Sequence, residues 1–162
     1  MTGAEVVLRA LHAKGRGILY ALGKGGWHPE DDLPARNNFC DCIGFVAWAL
    51  GVCRQSFDPA FPWYETTAIL HDALGDCRHF DHVRWTDAQP GDIVVYGDRK
   101  DKDGSRHQGH IGVVTVVDTS GPLKVVHCSH GASVLHGDAI IESSPDLWRS
   151  RGIVARHKEW AA

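Results

Sequence analysis

At 162 residues, 43% hydrophobic and 23% charged, the chain has the composition of a soluble globular protein and the length of about one domain, enough to bury roughly 70% of its unfolded surface. A formal net charge of −3 with no basic block excludes an electrostatic nucleic-acid binder, and no run approaches the ~20 apolar residues of a membrane-spanning helix. Cysteines at 40, 42, 53, 77 and 128 form an odd set without regular spacing, which argues against a disulfide scaffold and for reduced thiols.

The opening stretch, MTGAEVVLRALHAKGRG, lacks the basic start and long apolar core of a secretory signal, so a soluble chain without an export address is expected. Residues 4–14 predict an amphipathic helix with Val7, Leu8 and Leu11 on one side, interrupted at Gly15 and Gly17 and resumed over 18–22. Residues 23–38 read as a loop rich in Gly, Pro and Asp. In the next stretch, NNFCDCIGFVAWALG, the positions Ile43, Val46, Ala47 and Leu50 mark one buried helical face, with Gly51 at the C-terminal cap. Residues 66–74 predict a third helix, with Thr66 or Thr67 as N-cap and Gly75 as its stop.

From residue 83 the pattern changes to strands. Val83–Trp85 is short, and Asp92–Tyr96 follows the turn Gln89-Pro90-Gly91. His110–Asp118 is apolar on both faces, as a central strand is. The turn Asp118–Pro122 leads into Leu123–Cys128, predicting a hairpin, and 138–142 and 152–157 predict further strands. The segment 97–109, GDRKDKDGSRHQG, reads as a polar loop. The order predicts one α+β domain over residues 1–162, with N-terminal helices packed on a central antiparallel sheet of about five to six strands.

The chemistry concentrates at Cys42. It falls in the first turn of its helix, where unpaired N–H groups and the helix dipole favour negative charge. Such placement lowers a thiol pKa, more so beside an imidazolium, and the same N–H groups can receive the oxyanion formed on an attacked amide. A cysteine nucleophile needs a base and a group that orients the base. His110 opens the central strand and His127 lies in the next one. If residue 118 faces 123 across the turn, His127 falls opposite 114 and both imidazoles share a face. That register sets His130 level with His110, so His127 and His130 both remain candidates for the third position.

These residues carry a resemblance. Asp41-Cys42-Ile43-Gly44-Phe45-Val46 resembles the D-C-S-G-F-V signature of the NlpC family of papain-like, cell-wall cysteine peptidases. Pro90-Gly91-Asp92-Ile93-Val94 resembles the family's P-G-D strand, Gly109–Val114 its H-V-G-I strand, and Val126-His127-Cys128-Ser129 its I-H-A-S strand. Tyr20–Gly26 resembles the tyrosine and glycines that precede the cysteine. The pieces occur in the family's order across residues 20–130.

The resemblance implies a papain-like fold and amide cleavage through a thioester by Cys42, His110 and His127, without cofactor or metal. Tyr20, Asp41 and position 43 would line the substrate site. The implied partner is a peptidoglycan stem peptide, cut between γ-D-glutamate and the diamino acid, with no nucleic-acid or membrane partner. Ile43 replaces the family's serine, removing a hydroxyl that helps bind the substrate amine. A bare catalytic domain fits delivery by a phage particle, lysis or a secretion system, and equally intracellular recycling. Other readings stay open: a related amidase cutting the sugar–peptide amide, a zinc protein drawing on Cys40, Cys42, His107, His110, His127, Cys128 and His130, or a non-catalytic phage or structural module. Trp27, Trp48, Trp63, Trp85, Trp148 and Trp160 read as core or groove walls. Glu30, Asp31 and Asp32 read as a solvated loop, and Cys53, Cys77 and His136 as structural.

Overall fold

The computed structural model describes residues 1–56 and 58–159; Trp160 lies outside them. Chain order begins α1 (Gly3–Ala13), β1 (Leu19–Tyr20), β2 (Phe39–Cys40), α2 (Cys42–Ala49), α3 (Thr66–Leu74) and β3 (Phe80–Val83). A single 3-10 turn, Trp85–Asp87, leads to β4 (Ile93–Tyr96), β5 (Arg99–Lys100) and β6 (Arg106–His107). The chain continues through β7 (His110–Asp118), β8 (Gly121–Cys128), α4 (His130–His136), β9 (Ile140–Ser143), α5 (Asp146–Arg149) and β10 (Ile153–His157). The fold is α+β, as expected: six strands in the order β3-β10-β4-β7-β8-β9 pair antiparallel throughout. No helix among the described residues is long and apolar enough to cross a membrane.

Thr2 starts α1 with a capping box: its hydroxyl accepts from Glu5 N–H at 3.2 Å and its own N–H donates to the Glu5 carboxylate at 2.6 Å. The buried face is Val6, Ala10 and Ala13 rather than Val7, Leu8 and Leu11, and Leu8 is 67% exposed. Positions 6, 10 and 13 are also spaced for one face, and the small alanines let α1 press closely on α2 where leucines would hold it off. Helix α2 likewise departs from its expected single apolar face. All eight of its residues are buried, between α1 on one side and β7 and β8 on the other.

Pleating divides the core into two layers. Ile93, Val95, Ile111, Val113 and Val126 join Phe45, Val46 and Trp48 beneath the helices. Val94, Val114, Val125 and Val154 pack on the opposite face around Trp148. Residues 18–22 do not resume α1: Leu19 and Tyr20 pair in parallel with Phe39 and Cys40, which fastens Tyr20 beside the chain that enters α2. The N-cap of α3 is Glu65, not a threonine, and Gly75 ends the helix as expected. The strand expected at Val83–Trp85 ends at Val83, and the segment 97–109 folds back as the β5–β6 ribbon.

The loop Lys24–Gly26 lies directly on the first turn of α2. A Cβ added at Gly44 would stand 2.3 Å from the Lys24 carbonyl oxygen and 2.7 Å from the Gly25 carbonyl carbon. Both neighbours are backbone, so neither moves cheaply. Gly44→Ala is therefore expected to destabilise the protein by about 2–3 kcal/mol, read as a lowered midpoint in urea unfolding; an unchanged midpoint would show that the loop can lift from the helix.

Candidate active site

Asp41 caps α2. Its carboxylate accepts from Gly44 N–H at 2.7 Å, from Gly23 N–H at 2.6 Å and from the Arg54 guanidinium at 2.9 Å. Asp41 is only 2% exposed. Both oxygens are engaged inside the protein, where an unpaired carboxylate would be costly. Arg54 also donates to the carbonyls of Lys24 and Gly25 at 2.9 and 3.2 Å. No motif marks Arg54 in the sequence; a lone arginine before an apolar segment carries no signal of its partner.

Capping leaves the N–H groups of Cys42 and Ile43 without an oxygen acceptor among the described residues, since Gly44 N–H goes to the Asp41 side chain and Phe45 N–H to its carbonyl. Cys42 itself is buried. Burial first, then Asp41, push its thiol up to about 12, against the backbone N–H groups of Ile43 and Ile111, which pull it down. The expected depression of this pKa is thus reversed: desolvation of a thiolate outweighs the helix terminus. Helix α2 packs against β7, the strand that His110 opens.

The β7–β8 hairpin sets the imidazoles. Val113 faces Val126 and Val114 faces Val125, after irregularities between 114 and 117 shift the register. His127 thereby lies next to Gly112 rather than opposite 114, diagonal to His110. His110 Nε2 and His127 Nδ1 are 2.8 Å apart with the rings nearly perpendicular at 88°. His130, the other candidate, instead begins α4 and meets the Tyr20 ring edge-on at 5.5 Å. Trp148 was not distinguished from the other tryptophans by sequence, yet its buried ring stacks on His110 at 5.5 Å and 15° and meets His127 edge-on at 5.1 Å.

A serine completes the chain of contacts. Ser143 Oγ donates to the Ser144 carbonyl at 3.2 Å and lies 3.0 Å from His127 Nε2. With its one proton so directed, Ser143 accepts from His127 Nε2–H, which leaves His127 Nδ1 to accept from His110 Nε2–H. His110 Nδ1 then keeps its lone pair. Burial pulls His110 down to about 3, helped by His127 and Arg151, and pulls His127 down to about 4. Both rings are neutral near pH 7. Ser143 has no signature in the sequence because it acts from a different strand, 16 residues away.

Tyr20 is half-buried at the rim beside Cys40, its hydroxyl pKa raised by burial and by Cys42. Ile43 is buried to the same degree as Cys42, each 7% exposed, and offers no hydroxyl at the start of α2. Asp92 of the Pro90-Gly91-Asp92 turn is fully buried and held by Arg156 at 2.8 and 2.9 Å, fastening β4 to β10. Among the described residues no group of three or more His, Cys, Asp or Glu side chains gathers as a metal site. The set expected for zinc disperses: His107 pairs with Asp101 at 2.7 Å, and the Cys128 thiol donates to the Cys40 carbonyl at 3.4 Å.

Comparison with known proteins adds three findings. The family model described as "CHAP domain" matches residues 34–131, the span that holds Cys42, His110 and His127. A solved structure from Staphylococcus aureus, described as similar to a lipoprotein of the NLP/P60 family, is 16% identical with a TM-score of 0.49, over 96% of this chain and 40% of that one. A search of curated proteins gives no match.

The Ser143 contact has a direct spectroscopic consequence. At pH 7 the imidazole nitrogen shifts of His110 and His127 are expected to show both protons on Nε2. Ser143→Ala is expected to release His127 into a mixture of tautomers, and His110 with it; unchanged nitrogen shifts would show that the serine does not set them.

Proposed function

The chain belongs to the CHAP domain family, and from that premise we propose that it is a cysteine peptidase that hydrolyses an amide bond in the stem peptides of peptidoglycan, working as one catalytic domain over residues 1–162. Family membership supports a peptidoglycan hydrolase of the cysteine peptidase or amidase kind. The observation that carries the finer reading is the His110–His127 hydrogen bond at 2.8 Å, on the strand against which the Cys42 helix packs.

The neutral resting groups dictate the order of events. His110 Nδ1 takes the proton from Cys42 as the sulfur attacks the amide carbonyl carbon, so a thiolate need not stand free beforehand. The carbonyl oxygen, now negative, is received by the N–H of Cys42 at the start of α2. The C–N bond breaks as His110 returns the proton to the departing amine, leaving a thioester. Water, deprotonated by His110, then attacks the thioester and releases the acid and the thiol. Closure of the thiol onto His110 Nδ1 belongs to the substrate complex, where catalytic hydrogen bonds shorten. His127 holds the His110 tautomer throughout.

The bond favoured is γ-D-glutamyl–diamino acid, with Tyr20 on the substrate rim. Because the Asp41 carboxylate is engaged by Gly23, Gly44 and Arg54 and Ile43 carries no hydroxyl, recognition of a free substrate amine is expected to be weak, and longer or acylated stem peptides are expected to be cut as well. Purified murein and its stem peptides, digested and analysed by mass spectrometry, test this. Cleavage is expected with wild type and with Cys40→Ala but lost by at least 10³-fold in Cys42→Ala; new termini at the sugar–peptide amide would instead establish the amidase reading, and no cleavage of any murein substrate would sink both.

The pH dependence follows from the shifts. His110 is a base above about 3 and the Cys42 thiol keeps its proton below about 12. Acid is limited by the fold as well, since the unfolded histidines take up protons from about pH 6.5 downward while the buried ones resist, so stability falls in that direction. A plateau in kcat/KM from roughly pH 5 to 9 is expected. A steep alkaline limb between about pH 8 and 9 would reveal a resting thiolate–imidazolium pair instead.

A further inference from the structure

Beside the catalytic strand lies a cleft that the proposed chemistry leaves without a role. It measures about 910 Å³ and is bounded by Tyr96, Arg99, Lys100, Arg106, His107 and Arg151. Its inner wall adjoins the site directly: Tyr96 is the cross-strand partner of His110, the two rings 6.3 Å apart, and the Arg151 guanidinium lies over the outer face of Tyr96 at 4.5 Å. The β5–β6 ribbon forms the opposite wall.

The cleft is cationic in a chain whose net charge is −3. Asp101 pairs with Arg99 at 3.5 Å and contacts His107 at 2.7 Å. Asp98, the acid on its lining, accepts from Gly109 N–H at 2.6 Å. Among the described residues Lys100, Arg106 and Arg151 have no carboxylate partner, so that even with the charge of Asp98 counted the concavity keeps a positive excess. Fixed like charges converging on a concave surface focus a field that favours an anion.

Direction comes from the proton transfer. The group that protonates the departing amine must stand on that amine's side of the scissile bond, so the leaving half of the substrate runs along the His110 flank, towards Tyr96 and this cleft. Peptides released there end in carboxylates. We propose that the Lys100–Arg106–Arg151 cleft is the subsite for the carboxylate of the leaving half of the substrate, selecting stem peptides with a free acid over amidated ones. This rests on the amide-hydrolase reading above for its direction, though not for its charge.

Two synthetic peptides test it: L-alanyl-γ-D-glutamyl-L-lysyl-D-alanine with a free C-terminal acid, and the same peptide as its C-terminal amide. Binding is measured by calorimetry on the Cys42→Ala protein, which needs no turnover, and cleavage on wild type. The free acid is expected to bind about tenfold more tightly than the amide, with the preference fading as salt is raised. Lys100→Glu with Arg106→Glu, both on the exposed ribbon, is expected to abolish the preference without changing the unfolding midpoint. Equal binding of the two peptides, no binding of either, or a preference that survives the charge reversal would overturn the subsite. A binding preference without cleavage of either peptide by wild type would support the subsite and refute the hydrolase reading; cleavage of both at equal efficiency with equal binding would do the reverse.

Discussion

A single buried carboxylate governs where the chemistry sits. Helix α2 is apolar on every side, so packing alone gives it no preferred rotation about its axis, and a polar contact must set its position. Asp41 does so by accepting from Gly44 N–H, Gly23 N–H and Arg54, which ties the helix start to the preceding loop and to the segment that follows the helix. An N-cap contributes about 1 kcal/mol, but removing the partner of a buried charge costs about 3–5 kcal/mol. The ion pair therefore constrains more than it stabilises. Gly44 and Gly26 extend the same constraint, since their close backbone approach admits no side chain. The place of the Cys42 helix against β7 follows from these contacts.

Burial on both sides of the site shapes the chemistry as much as the residue types do. Desolvation holds the thiol protonated and both imidazoles neutral, and the stack of His110 on Trp148 keeps water from one face of the ring. A helix N-terminus that fails to ionise its cysteine in the resting protein is still available to the oxyanion. Interactions that strengthen only when charge develops lower the barrier without stabilising the ground state. The chain Ser144 carbonyl, Ser143, His127, His110 supplies the complementary requirement: a defined lone pair on His110 Nδ1, the nitrogen proposed as base.

Much of this was legible in the sequence where local signals were strong. Helix α3 falls on the residues predicted, 66–74, and the run from His110, apolar on both faces, with its turn at 118–122 announced the central hairpin. The ordered motifs around Cys42, His110 and His127 pointed to the family. The register of that hairpin was not legible, because the irregularities between Val114 and Val117 leave no compositional mark, and they decide which histidine reaches His110. Nor were β1 and α4 visible: a two-residue parallel pair and a seven-residue helix carry too little periodicity. Arg54, Ser143 and Trp148 reach the site from separate elements, and only the tertiary fold brings them there. The inward turn of the Asp41 carboxylate to Arg54 was hidden for a related reason, since a motif fixes residue order but not which side chains face solvent.

The central claim is that Cys42 becomes acylated by the peptide it cleaves. Acid-quenched intact-protein mass spectrometry during turnover of a γ-D-glutamyl stem peptide, followed by peptide mapping, measures this directly. A mass gain equal to the acyl half, located on Cys42 and discharged by hydroxylamine, is the predicted result. Product formation with no acylated protein at any quench time, or an adduct on Cys40 in its place, would contradict it.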